Sequence, residues 1–160
     1  MDDLRVGLGI DFHRLVDDRP LVLGGVTIPH ERGLLGHSDA DVLTHAICDA
    51  LLGAAGLPDI GVHFPDNDEA YRGISSQTLL AEVVRELAEA GCQVVNIDAT
   101  VIAEAPKLAT WFSQMRETLA SSMGVDSDRI GLKATTSERM GPMGRGEGIA
   151  AWATCLIRRT

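Results

Sequence analysis

Asp11 and His13 stand two apart in Gly9-Ile10-Asp11-Phe12-His13, and His45 closes the run His37-Ser38-Asp39-Ala40-Asp41-Val42-Leu43-Thr44-His45. On an extended strand, residues i and i+2 point to the same face, so Asp11 and His13 present a carboxylate and an imidazole side by side. His45 falls in a segment that reads as a helix and supplies a third arm. One oxygen and two nitrogen donors suit a tetrahedral zinc whose fourth position stays open to water or a phosphate oxygen. The opposing reading is a satisfied polar histidine beside a chance Asp-x-His.

Three further clusters carry chemistry. His37-Ser38 precede the expected helix, where free backbone N–H groups favour an anion; a plain serine cap beside an exposed histidine is the alternative. The segment Asp59-Ile60-Gly61-Val62-His63-Phe64-Pro65-Asp66-Asn67-Asp68 gathers acids that bind hydroxyls or a divalent ion, or else form a solvated turn. His63 and His30 read as plain surface or loop residues. Lys133-Ala134-Thr135-Thr136-Ser137-Glu138 places three hydroxyls and a carboxylate at a strand end, fit to clasp phosphate and magnesium or to make a polar turn. Gly141 to Gly148 holds four glycines, so backbone there can approach a ligand or another subunit closely, and Arg145 offers a planar fork for phosphate.

The elements that must position these groups follow from periodicity. Arg5 to Ile10 reads as a strand leading into Asp11. Leu21–Leu23 and Val26–Ile28 read as the arms of a hairpin turning at Gly24-Gly25. From Ser38 to Ala55 the spacing of Leu43, Ile47, Ala50, Leu51 and Ala54 predicts a helix, started by Ser38 and Asp41 as a capping box. His45 lies off that stripe, between Asp41 and Asp49 at i±4, a row that suits a ligand held by neighbouring carboxylates. Residues 56–73 read as a long loop. Helices are expected around Leu79–Leu87 and Trp111–Leu119, ended by Gly91 and Gly124. Strands are expected over 95–101, 130–134 and 149–158. The fold class is therefore α+β: residues 1–160 as a single-domain two-layer sandwich, a mixed sheet covered by helices.

Composition narrows the function. Among 160 residues the net charge is −9, which argues against nucleic-acid binding. No apolar run is long enough to cross a bilayer, so no membrane partner is expected. Cys48, Cys92 and Cys155 read as small core residues of a reducing, cytoplasmic protein.

Four ordered blocks, GLGIDFHRL (7–15), LLGHSDADVLTHAICDALLGAAGLPDIGVHFPD (34–66), NIDATVIAEAPK (96–107) and KATTSERMGPMGRGEGIA (133–150), closely resemble the 2-C-methyl-D-erythritol 2,4-cyclodiphosphate synthase family. The resemblance spans nearly the whole chain. It implies a phosphorus-oxygen lyase of non-mevalonate isoprenoid synthesis. Such an enzyme converts a cytidine-diphosphate ester of methylerythritol 2-phosphate to the cyclic diphosphate and CMP, by attack of the substrate's own 2-phosphate on its β-phosphate. It implies zinc on Asp11, His13 and His45, a second ion (magnesium or manganese) on Glu138, and His37 and Thr136 as catalytic residues that steady the phosphoryl transition state. Asp11, His13, His37 and Ser38 would also touch the substrate. Asp59, Ile60, Gly61, Phe64, Pro65, Asp66, Asn67 and Asp68 would form its methylerythritol and ribose side. Ala103, Glu104, Ala105, Pro106, Lys107, Leu108 and Ala109 would cradle cytosine, and Thr135, Ser137 and Arg145 would complete the contacts. A homotrimer with sites between subunits is implied as well. Pro142 stands where some relatives carry an aromatic residue near the threefold axis, which disfavours an isoprenoid diphosphate there. A zinc-dependent phosphohydrolase that activates water, and a non-catalytic trimer scaffold built on the 141–148 loop, are the competing readings.

Overall fold

The computed structural model describes residues 3–65 and 67–160. Two long strands form its spine. β1 (Asp3–Val16) pairs antiparallel with β7 (Gly148–Arg159), from Asp3 opposite Arg159 to Arg14 opposite Gly148. β7 also pairs antiparallel with β5 (Cys92–Ile102), and β5 pairs parallel with β6 (Ile130–Thr135). The two-residue β4 (Gly33–Leu34) closes the other edge, giving the order β4-β1-β7-β5-β6. The parallel step from β5 to β6 needs a crossover, and α4 (Phe112–Met123) provides it. β2 (Leu21–Leu23) and β3 (Val26–Ile28) make a separate hairpin on the expected residues. Gly24 and Gly25 sit at φ 57° and 74°, the left-handed pair that a tight hairpin turn requires.

One face of the sheet is covered by α1 (Val42–Ala55), α3 (Ser76–Glu89) and α4. The approach of α1 is unusually close. A Cβ added to Gly7 would lie 1.8 Å from the Ala50 carbonyl oxygen, and one on Gly9 would lie 1.9 Å from that of Ala46. Glycine on the strand and alanine on the helix thus let the two backbones touch. Gly7, Gly9, Asp11 and His13 share the helix-facing side of β1 by the period-2 rule. Leu4, Val6, Leu8, Ile10 and Phe12 point the other way and are exposed. The site side chains therefore lie where the next turn of α1 meets the end of the glycine pair.

Several expectations need correction. β1 does not stop at Ile10 but runs on through Asp11 and His13 to Val16, held by twelve residues of pairing with β7. α1 begins at Val42 with Asp41 as its cap, so Ser38 is not the start of a capping box. Asp41 has no solvent exposure; its carboxylate accepts from Thr44 N (3.0 Å), Thr44 Oγ1 (2.7 Å), Gly24 N (2.9 Å) and Gly25 N (2.7 Å). Asp49 instead accepts from Ile60 N at 2.8 Å. The Asp41–His45–Asp49 row consequently does not form, because both carboxylates are engaged by backbone donors. Nor is 56–73 structureless: it holds α2 (Ile60–His63), capped by Asp59, and a 3-10 turn (Glu69–Tyr71), capped by Asp68. Another short helix, α5 (Gly141–Gly144), forms within the glycine-rich loop with Pro142 in its first turn. His63 is no plain loop residue; its Nδ1 lies 3.0 Å from Glu86 Oε2 with its side chain 16% exposed. The three cysteines are free and buried, as expected.

Candidate active site

Asp11, His13 and His45 converge. His13 Nε2 lies 2.9 Å and His45 Nδ1 3.1 Å from Asp11 Oδ2, and the two nitrogens are 3.2 Å apart. Among the described residues this is the one cluster of histidine, cysteine and acidic side chains arranged to hold a metal. The outer nitrogens are committed elsewhere. His13 Nδ1 donates to the Leu35 carbonyl at 2.6 Å, an oxygen that can only accept, which leaves Nε2 bare in the neutral ring. His45 Nε2 faces Ser76 Oγ at 2.9 Å and Ser38 Oγ at 3.2 Å, which leaves Nδ1 turned inward. Three lone-pair-bearing atoms packed this tightly repel one another unless a proton or cation sits among them. Ligand atoms of a tetrahedral zinc, bound at about 2.0–2.1 Å, stand about 3.3 Å apart. The donor set and its spacing thus fit zinc.

The electrostatics agree. Burial disfavours charge on Asp11, but hydrogen bonds from His13 and His45 outweigh it and hold the carboxyl at about 2. Burial likewise lowers His13, and Asp11, helped by the Leu35 carbonyl and Asp41, more than reverses that, so its value is raised from the ordinary imidazole value. A proton on the triad is the stand-in for the cation that the geometry accommodates.

A cavity of about 200 Å³ opens over these atoms. His37, Ser38, Ile60, Gly61 and Phe64, which the resemblance assigns to the substrate, line it together with Gly36, Tyr71 and Leu79, for which the sequence suggested no role there. Tyr71 packs edge-on against Phe64, ring centres 5.4 Å apart, so the short helices of the 56–73 segment form one wall. His37 Nε2 is 3.0 Å from the Asp68 carbonyl, which ties that wall to the strand end. The Asp59 and Asp68 carboxylates spend acceptor capacity on their caps, Gly61 N at 2.9 Å and Ala70 N at 2.9 Å. Pro65 and Asn67 flank Asp66, which lies outside the described residues.

Ala103, Glu104, Thr135 and Ser137 are linked in a second group. Ala103 N donates to the Thr135 carbonyl at 3.0 Å, joining the 103–109 loop to the end of β6. Glu104 Oε1 accepts from Ser137 N (3.0 Å), Arg139 N (3.2 Å) and Ser137 Oγ (3.2 Å), so it is a brace for the loop that carries Thr136 and Glu138. Glu138 and Arg139 both adopt left-handed backbone, at φ 53° and 60°. Arg145 is exposed and paired with Glu147, Nε to Oε1 2.6 Å. Across the sheet, Phe12 stands opposite Ala150, Ala150 opposite Ile102, and Ile102 opposite Thr135. Three strand spacings separate the two groups, roughly 14 Å, at the same end of the sheet. One protomer brings together the metal half of the expected site and, apart from it, the Ala103–Ala109 and Thr135–Glu138 half.

Comparison with known proteins bears on this arrangement. The YgbB family model matches residues 4–158. The 2-C-methyl-D-erythritol 2,4-cyclodiphosphate synthase of Thiobacillus denitrificans is 60% identical over 159 residues, covering 99% of both chains. The enzyme of that name from Laribacter hongkongensis is 60% identical over 156 residues, 98% of this chain and 96% of its own. The bifunctional IspDF of Campylobacter jejuni superposes with a TM-score of 0.96 and 39% identity, over all of this chain and 43% of that longer one. A 2C-methyl-D-erythritol-2,4-cyclodiphosphate synthase solved in a CDP-bound form gives a TM-score of 0.87 at 38% identity, covering 96% of this chain and 99% of that one.

Proposed function

The chain belongs to the YgbB family, and on that footing we propose that it converts 4-diphosphocytidyl-2-C-methyl-D-erythritol 2-phosphate to 2-C-methyl-D-erythritol 2,4-cyclodiphosphate and CMP. The observation that carries the reading is the convergence of Asp11, His13 and His45 beneath a cavity, in a chain matched end to end by enzymes of that name. A 2-phosphate oxygen bonds to the β-phosphorus, the bond from that phosphorus to the bridging oxygen breaks, and CMP leaves with the bridging oxygen. No protein nucleophile is required. The task left to the protein is to fold the substrate back on itself and to stabilise charge on the transferring phosphoryl group.

Asp11, His13 and His45 would hold zinc, and Glu138 a magnesium or manganese ion shared with the substrate phosphates; bound there, such cations supply charge neutralisation to a protein of net charge −9. His37 stands at the cavity wall with its Nε2 anchored to the Asp68 carbonyl, and in this reading it steadies the phosphoryl group. Thr136 would do the same from the second group, with its hydroxyl beside Glu138 Oε1 at 3.4 Å. Ser38, Asp59, Ile60, Gly61, Phe64, Pro65, Asp66, Asn67 and Asp68 would take the methylerythritol and ribose; residues 103–109 would take cytosine. The named CDP-bound relative supports a cytidine nucleotide as the ligand class.

Two observations support a homotrimer with shared sites. The two groups of expected residues lie too far apart within one chain to grip the same phosphate. The uncovered sheet face exposes Leu4, Val6, Leu8, Ile10, Phe12 and Trp152, an apolar surface that calls for a cover. Residues 1–160 would then be one domain of a cytoplasmic enzyme; among the described residues no helix is long and apolar enough to cross a membrane.

The phosphohydrolase alternative finds no support in these relatives, which are named as cyclodiphosphate synthases. Incubation with the cytidine-diphosphate substrate and magnesium should yield CMP and the cyclic diphosphate in equal amounts. CMP accompanied only by linear methylerythritol phosphates, carrying label from isotopic water, would overturn the proposal in favour of hydrolysis.

A further inference from the structure

We infer that Asp39 and Ser76 are positioning residues that fix the tautomer of His45 and, through it, the metal affinity of the Asp11–His13–His45 centre. The inference rests on the metal reading of that triad. Ser76 opens α3, and its side chain has no solvent exposure. Its backbone N donates to Asp39 Oδ2 at 2.9 Å, and its hydroxyl donates to Asp39 Oδ1 in a close contact. A carboxylate only accepts, and a serine hydroxyl has one proton. With that proton committed to Asp39, Ser76 Oγ offers lone pairs alone to His45 Nε2, 2.9 Å away. The neutral His45 ring must therefore carry its hydrogen on Nε2, which leaves Nδ1 bare toward Asp11 and His13 when a metal takes the place of the proton. Ser38 Oγ is the weaker influence. It stands farther off at 3.2 Å, accepts from Ala40 N, and its proton is free to rotate.

Asp39 is well placed for this work. Its own N–H donates to the Ile74 carbonyl at 3.0 Å, and its carboxylate sits at the N-terminus of the fourteen-residue α3, where the helix dipole favours negative charge. The arrangement inserts a hydroxyl between carboxylate and imidazole. A carboxylate bonded directly to a metal-binding histidine does the same job in shorter form. The relay also couples α3, an element with no metal ligand of its own, to the ligand borne by α1.

Substitution makes the tautomer argument testable. Asp39 accepts from Ser76 N at one oxygen and from Ser76 Oγ and, at 3.2 Å, Asp41 N at the other; in Asp39→Asn, with the amide oxygen kept on the Ser76 N–H, the amide nitrogen faces Ser76 Oγ and donates to it while the Asp41 N–H loses its acceptor. The serine proton is then released toward His45 Nε2, and the hydrogen on the ring moves to Nδ1, where it blocks ligation. Ser76→Ala removes the acceptor outright. Zinc affinity is read by titrating the zinc-loaded protein with a chromophoric chelator. Asp39→Asn and Ser76→Ala should each bind zinc about 10- to 100-fold more weakly than the parent chain. Ser122→Ala, which removes a 2.8 Å hydrogen bond to Gln77 between helices, should bind it unchanged. His13→Ala separates the two readings: if it loses zinc while Asp39→Asn and Ser76→Ala keep parental affinity, the relay is overturned and the metal centre stands. If His13→Ala binds zinc as the parent does, both fall. Nitrogen NMR of the unsubstituted zinc-loaded protein gives a second check independent of how the variants fold. It should show His45 ligated through Nδ1 with a hydrogen-bonded Nε2–H; ligation through Nε2 would overturn the inference.

Discussion

At the scale of single residues, the triad is a competition between protons and metal. Asp11 is held at about 2 by its two histidines, and His13 is raised above the ordinary imidazole value. The signs differ. The depressed Asp11 contributes stability to the metal-free protein above about pH 3.9 and loses it as pH falls toward 2. The raised His13 contributes below about pH 6.5 and loses its share as pH climbs through the folded-state value. Zinc must expel that His13 proton to bind. Apparent zinc affinity should therefore fall about tenfold per pH unit below the raised His13 value and level off above it. Chelator competition across pH 5.5 to 8.5 measures this; a flat profile would contradict the assignment of His13 as a ligand. His13→Ala should cut turnover at least about a thousandfold, since Lewis-acid stabilisation is worth several kcal/mol, while circular dichroism stays that of the folded chain. Asp11, His13 and His45 were legible as ligands because strand periodicity puts the first two on one face. Leu35, Ser76 and Tyr71 were not, because a carbonyl, a serine and a loop aromatic carry no signal until the fold places them.

Among the elements, the contact of α1 with β1 decides whether the ligands meet. Gly9→Ala would set a Cβ 1.9 Å from a backbone oxygen, and backbone cannot step aside as a side chain can. Lifting α1 should destabilise the protein by about 3 kcal/mol, at the upper end of ordinary overpacking, and weaken zinc binding with it. Chemical denaturation of the variant checks the first part. Asp41→Ala strips acceptors from Thr44, Gly24 and Gly25 at once and should cost about 2–4 kcal/mol, combining a lost cap with buried donors left unpaired. A loss below about 1 kcal/mol would mean that water replaces the carboxylate there. Helical spacing and the Gly24-Gly25 turn were readable locally: the turn forms on the expected residues, and the helix ends at Ala55 as expected but begins at Val42 rather than Ser38. The cap was misread because Asp41's partners on the hairpin lie 16 and 17 residues away. β4, α2 and α5 are only two to four residues long, too short to show a period.

For the whole molecule, the sheet has one face under helices and one face open. Charge on the open face should separate assembly from folding. Leu8→Arg, on an exposed strand position, should leave the protomer folded, shift sedimentation from trimer to monomer, and reduce activity at least about tenfold if each site spans two subunits. A monomer with full activity would contradict shared sites. Mixed sheet and single domain were legible from alternating strand and helix periods. Which copies meet, and which halves of the site face one another, is a property of surfaces, and a single chain's hydrophobic pattern records only that Leu4 to Phe12 alternate toward a second, unburied side. The most direct test of the account is anomalous diffraction at the zinc edge from crystals of the zinc-loaded protein. One peak per protomer should lie about 2.0–2.2 Å from His13 Nε2, His45 Nδ1 and an Asp11 carboxylate oxygen. Peaks at other residues, or none between these three, would contradict it.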